Sequence, residues 1–123
     1  MAITYLHHTH PDVPYLTDEA WTFTQGAMGT IDRSVGFIGR HFFHEIIDFH
    51  VVHHLFTKIP FYHAEEATKA IQPLMGSQYV DAKQESFMHS LYTTFKSCNY
   101  VAERRDAKNP PGNGRLFWVI KRE

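Results

Sequence analysis

Phe43-His44-Glu45-Ile46-Ile47-Asp48-Phe49-His50-Val51-Val52-His53-His54-Leu55-Phe56 is the stretch on which the reading of this chain turns. It lies in the most apolar segment, Phe37 to Phe56. At about 100° per residue, the Phe, Ile, Val and Leu positions cover nearly the whole circumference of a helix. A helix apolar all round is normally buried, so the spacing predicts one long buried helix, ended by Lys58-Ile59-Pro60. On that helix His50, His53 and His54 leave one face together, inside an arc of about 100° shared with Phe43, Ile46 and Ile47. Three imidazoles in an apolar wall are costly if charged or unpaired. A transition metal removes that cost, because neutral imidazole suits Zn, Fe, Cu and Ni and the metal takes up the lone pairs. Pairing with backbone carbonyls and with Asp48 or Glu45 is the structural alternative. The H-x-x-H-H grouping favours the metal, although spacing alone does not name it.

Working outward, Pro60 precedes a second helix starting near Tyr62, with Glu65 and Glu66 in its first turn and Ala64, Ala67, Ile71 and Leu74 on one face. Gly76 is its expected stop. A further helix is expected from about Gln84 to Ser97, with Phe87, Leu91, Phe95 and Cys98 on one stripe. The tail reads as a hairpin, with strands at Asn99 to Glu103 and Leu116 to Ile120 around the turn residues Asn109 to Gly114. Upstream, Thr17-Asp18-Glu19 reads as a helix start, followed by a short helix through Trp21, Phe23 and Ala27 that stops at Gly29. Residues 3 to 8 fit a strand or a helix end equally well. The expected class is therefore mainly α with a small terminal β-hairpin.

Composition narrows the chemistry. The chain has 123 residues, 12 Lys and Arg against 13 Asp and Glu, and a formal charge of −1. That balance argues against a nucleic-acid partner, which calls for a basic excess. Hydrophobic residues make up 43%, which is ordinary for a folded chain. One Cys excludes an internal disulfide framework and a Cys-rich zinc site. Cys98 falls on an apolar stripe and reads as a buried structural thiol. The longest run without Asp, Glu, Lys or Arg is the 12 residues Ala20 to Ile31, too short to span a bilayer. The start lacks a basic leader region, and its β-branched and aromatic opening suggests a fragment. Histidine is the excess: 10 residues, most of them in two clusters.

The second cluster is His7-His8-Thr9-His10-Pro11. Read plainly it is a polar loop; read functionally, one of its imidazoles completes a metal shell that three helical histidines leave open. His44-Glu45-Ile46-Ile47-Asp48 nearly matches the H-E-x-x-H zinc-protease helix, but the second ligand is Asp, so the match is read as chance. His44 is assigned a structural or supporting role, Asp48 an orienting one, and His63 and His89 surface roles. Core packing accounts for most of the aromatics; Trp21, Phe42 and Phe43 are alternatives for lining an acyl channel, which nothing in their spacing shows.

These residues carry a resemblance. Ala2-Ile3-Thr4-Tyr5-Leu6-His7-His8-Thr9-His10-Pro11-Asp12-Val13-Pro14-Tyr15, then Trp21-Thr22-Phe23, Gly26-Ala27 and Thr30-Ile31-Asp32-Arg33, resemble the segment after the last membrane helices of acyl-lipid fatty acid desaturases. Phe43 to Phe56 resembles the third histidine box of that family, and Ile59 to Thr68 continues the likeness. The wording is nearest to fungal oleate Δ12 desaturases, with the Δ15 enzymes second. The resemblance implies a membrane enzyme of the endoplasmic reticulum, with its site on the cytosolic face, that holds two irons with histidines from three boxes. It implies use of O2 and two electrons, usually from cytochrome b5, to place a cis double bond in a lipid-linked oleoyl chain. It assigns His50, His53 and His54 as third-box ligands and His8, with His10 as alternative, as a ligand from the preceding helix end. The first two boxes and all membrane helices of the family are absent from this chain. Residues 1–123 therefore correspond to the C-terminal part of a desaturase domain, with an incomplete di-iron set, and the chain alone is expected to be inactive. The alternatives are a small zinc- or nickel-binding histidine module without redox chemistry, or an inert truncated product.

Overall fold

The computed structural model describes residues 2–104 and 112–120. Among these residues six α-helices and three strands follow one another as α1 (Ala2–His8), β1 (Tyr15–Leu16), α2 (Phe23–Ala27), α3 (Gly36–Phe42), α4 (His50–Leu55), α5 (Ala64–Met75), α6 (Phe87–Ser97), β2 (Tyr100–Glu103) and β3 (Arg115–Val119). Among the described residues no helix is long and apolar enough to cross a membrane.

The predicted long helix is broken. α3 ends at Phe42, a series of turns carries His44 and Glu45 at φ of 49° and 59°, and α4 begins only at His50. Distant partners take the backbone groups that would have continued the helix. The Ile47 carbonyl accepts from the Arg33 amide at 3.2 Å and lies 3.0 Å from His7 Nε2. The Val51 amide donates to Asp32 Oδ1 at 2.9 Å. The break turns Ile47, Asp48 and Phe49 inward with Val51 and Val52, and leaves Phe37, Ile38 and Phe42 exposed.

α5 starts and stops as its sequence indicates, led by a 3-10 turn at Phe61–His63 and closed by Gly76 at φ 52°. Ala64, with Ala67 and Ile71, packs against Phe49 and Val52, whereas Leu74 is exposed. A second small core joins Val13, Ile31 and Ala82 to Val80. On α6 the expected stripe shifts. Ser90, Thr94 and the following Cys98 are buried, while Phe95 is exposed. Ser90 is drawn inward because its hydroxyl donates to Glu85 at 2.5 Å. The expected helix start at Thr17 is instead a turn, Ala20 N–H to Thr17 carbonyl. The true cap is Thr22, whose hydroxyl accepts from the Gln25 amide at 3.2 Å.

The hairpin forms, β2 against β3 with Tyr100 opposite Val119. Residues 105–111, most of its expected connection, lie outside the described residues. The unexpected strand is β1, which pairs antiparallel with β3 through Tyr15–Leu116 and Leu16–Arg115, giving the order β1-β3-β2. Two residues are too short to announce a strand by alternation.

Candidate metal centre

His50 and His54 stand one helical turn apart on α4, so their rings share a face. His8 comes to them from the C-terminus of α1. What holds α1 there is a set of contacts to its last carbonyls, which a helix end leaves without internal partners. The Leu6 carbonyl accepts from Arg33 Nε at 3.0 Å, and the His7 carbonyl accepts from the Ile31 amide at 3.1 Å and the Thr30 hydroxyl at 2.9 Å. Arg33 is itself held by Glu85 at 3.0 Å.

The three imidazoles converge. His50 Nε2 lies 3.4 Å from His8 Nε2 and 3.2 Å from His54 Nε2, and one ring nitrogen from each of the three lies within 4.8 Å of the others. His50 Nδ1 faces the Ile46 carbonyl at 3.1 Å. A carbonyl only accepts, so the proton belongs on Nδ1 and the Nε2 lone pair points into the group. Burial, followed by the neighbouring His7 and His54, pushes the His50 pKa down to about 3. Burial first, then adjacent imidazoles, also lowers His8 and His54. The group is therefore neutral at neutral pH, the state in which imidazole binds metal. Nitrogens that share a first-row ion at about 2.05 Å lie about 3 Å or a little more apart, so the spacings of 3.4 and 3.2 Å suit such an ion.

His53, on the same helix, lies outside the converging group, its ring stacked beside His50 with centroids 5.9 Å apart. His10 belongs elsewhere: its Nδ1 accepts from the Asp12 amide at 3.2 Å and its Nε2 lies 3.8 Å from Glu85. His7 is the member of the upstream cluster that the sequence left without a task. It is buried, with Nδ1 2.8 Å from the Ile3 carbonyl and Nε2 3.0 Å from the Ile47 carbonyl. One ring nitrogen faces α1 and the other the turns before α4; the single N–H of a neutral imidazole donates to one of these two carbonyls, and the ring bridges the two elements while its neighbour reaches the group. His44 sits at the left-handed corner with its ring against Phe61, and Asp48 is buried with Oδ1 4.0 Å from Arg40 and, among the described residues, no imidazole partner. His63 pairs with Glu66 and His89 meets Thr93, surface roles as expected. Cys98 is buried, and burial raises its pKa to about 11, as an inert thiol requires.

Sequence reasoning missed Asp32. Fully buried, it accepts from the Val51 amide and from the Tyr79 hydroxyl and lies 3.6 Å from Lys83. It thereby closes the N-terminus of the very helix that carries the histidines. Nothing in the local pattern of Thr30-Ile31-Asp32-Arg33 marks it, because its partners lie 19 and 47 residues away.

The chain is 46% identical over 121 residues to an oleate hydroxylase of Claviceps purpurea, covering 96% of this chain and 25% of the relative. It is 42% identical over 120 residues to a Δ12-oleate desaturase of Trichosanthes kirilowii, covering 98% and 31%. A Δ12 fatty acid desaturase of Mortierella isabellina is 42% identical over 104 residues, covering 85% and 26%. This chain is similar to one part of the oleate desaturases and hydroxylases. It spans between a quarter and a third of the length of these relatives. No family model matches it, and no solved structure matches it.

Proposed function

We propose that this desaturase-like chain is the third-box portion of a membrane acyl-lipid desaturase, contributing His8, His50, His53 and His54 to a di-iron site. The observation that carries the reading is the convergence of His8 with His50 and His54 across 42 residues of sequence. Neutral imidazoles with a lone pair directed inward fit iron, and they also fit zinc or nickel. Iron held there would supply the O2 and one-electron chemistry by which two hydrogens leave an unactivated oleoyl chain. The chain's own residues do the rest: α4 presents His50 and His54 on one face, His7 and Arg33 fix α1, and Asp32 fixes α4. His53, beside the group, is assigned to the second iron, completed by ligands of the other boxes.

The exposure of Phe37, Ile38, Phe42, Phe43, Phe56 and Phe61 supports their burial by the remainder of a desaturase. The reading places the domain on the cytosolic face of the endoplasmic reticulum membrane, with cytochrome b5 as donor and residues 1–123 as its C-terminal part. Replacing the matching segment of the Mortierella isabellina enzyme with residues 1–123, in a host without Δ12 desaturation, tests it. Linoleate should form, and His8→Ala should abolish it. Activity surviving that change would refute the ligand assignment. One tightly held zinc in the isolated chain, unaltered when the other boxes are supplied, would favour the histidine module instead.

A further inference from the structure

Glu85 stands just before α6, the helix that packs against α1. Its Oε2 accepts from Arg33 Nη1 at 3.0 Å and from the Ser90 hydroxyl at 2.5 Å, and its Oε1 lies 3.8 Å from His10 Nε2. These contacts reach both flanks of His8. His10 follows it by two residues in the chain. Arg33 leads to the other side, because its Nε donates at 3.0 Å to the carbonyl of Leu6, two residues before His8. One carboxylate from a distant part of the chain therefore brackets His8 from both sides.

The two members of the ion pair differ in burial. The Arg33 side chain is 5% exposed and that of Glu85 42%. A guanidinium rests in such a site because a carboxylate compensates its charge; without one, the charge draws it towards water. An Arg33 side chain that turns outward withdraws its Nε–H from Leu6 and loosens the last turn of α1, whose carbonyls have no partner inside the helix. The rest of the site keeps its own supports. The Arg33 main-chain amide still donates to the Ile47 carbonyl at 3.2 Å, and Asp32 still accepts from the Val51 amide at 2.9 Å. His50 and His54 belong to that supported part, and His8 to the loosened one. The Thr30 hydroxyl and the Ile31 amide still hold the His7 carbonyl, so the displacement of His8 is partial.

We propose that Glu85 is a positioning residue of the metal centre: through Arg33 on one side and His10 on the other, it sets His8 against the His50–His54 pair. Of the three converging histidines it acts on His8 and leaves the other two in place. This rests on the proposed function, which takes His8 as a ligand. Groups that orient a metal-binding histidine change metal affinity by about 10–100-fold, and a partial displacement of one ligand belongs at the lower end of that range.

The test is a double-mutant cycle in the whole 123-residue chain. It is read by cobalt(II) titration and by the cobalt d–d absorption band, which reports the number of ligands. Glu85→Ala should weaken cobalt binding about tenfold when His8 is present and less than about twofold in a His8→Ala background. Its d–d band should move towards that of His8→Ala. Glu85→Gln keeps an acceptor oxygen for Arg33 without the charge. It should show the same dependence on His8 at about threefold, and it carries the test should urea unfolding show that the Ala variant does not fold. Equal weakening in the two backgrounds overturns the inference, because Glu85 then acts on the fold at large. Unchanged affinity with His8 present overturns it as well. If His8→Ala itself leaves cobalt affinity and the d–d band unchanged, the ligand assignment of His8 falls and this inference with it. The His8→Ala chain thus tells the two failures apart.

Discussion

Replacing Asp32 with Ala should loosen the whole site although Asp32 touches no histidine. The side chain is fully buried and serves three donors: the Val51 amide at 2.9 Å, the Tyr79 hydroxyl, and Lys83 at 3.6 Å. Truncation leaves the Val51 N–H and the Tyr79 hydroxyl without an acceptor, and each stranded group costs about 1–3 kcal/mol. Lys83 is partly exposed and adds little. The expected loss is about 3–5 kcal/mol, a third or more of the stability of a typical small domain. For a chain of this size it should lower the Tm by about 10–20 °C. Asp32→Asn keeps an acceptor for Val51 and should cost about 1–2 kcal/mol. Urea unfolding followed by tryptophan fluorescence measures both, and cobalt titration measures the consequence at the histidines. Because Val51 adjoins His50, the Ala variant should bind cobalt at least tenfold more weakly and the Asn variant nearly normally. A loss below about 1 kcal/mol in the Ala variant, with cobalt affinity unchanged, would refute the claim that Asp32 anchors α4.

In the metal-free chain, stability should fall as pH drops from 7 to 5. The folded imidazoles resist protons, with His50 near 3, while the unfolded ones accept them below about 6.5, so the unfolded state gains protons on acidification. His50 alone gives about 2 kcal/mol at pH 5, reduced to about 1 by its partial exposure; flat denaturant midpoints across this range would contradict the neutral cluster. His50→Ala should weaken cobalt binding at least about 100-fold by titration, whereas His53→Ala in the isolated chain should change it less than tenfold; the opposite ranking would contradict the geometry. Gly114→Ala should destabilise by about 2 kcal/mol or more, because Gly114 sits at φ 70° and a Cβ there would overlap the Ala20 side chain, and an unchanged thermal midpoint would count against that packing. Residues 1–123 expressed alone in a host lacking Δ12 desaturation should yield no linoleate by fatty-acid chromatography, and new linoleate would show that the chain needs no further boxes.

Local signals carried much of the architecture. Glu65 and Glu66 at one end and Gly76 at the other bounded α5, and β-rich composition on either side of turn residues marked both hairpin strands, because these effects act within a turn or a strand pair. Likewise His50, His53 and His54 were bound to share a helical face at their spacing, and one upstream imidazole was needed to extend the set. β1 and the inward face of α6 stayed hidden, since Tyr15–Leu16 becomes a strand only beside β3, and Ser90 turns in only because Glu85 receives it.

By itself the sequence determined the imidazole chemistry, the helical presentation of His50 and His54, and the kinship with one part of the oleate desaturases and hydroxylases. Tertiary structure decided that His8, and not His10 or His7, turns a ring nitrogen into their group. It also decided that the apolar run from Phe37 to Phe56 is two helices. The physical reason is the same in both cases. Backbone groups have fixed hydrogen-bonding capacity, and Asp32 and Arg33 claim the Val51 amide and the Ile47 carbonyl from the helix that sequence periodicity alone would build.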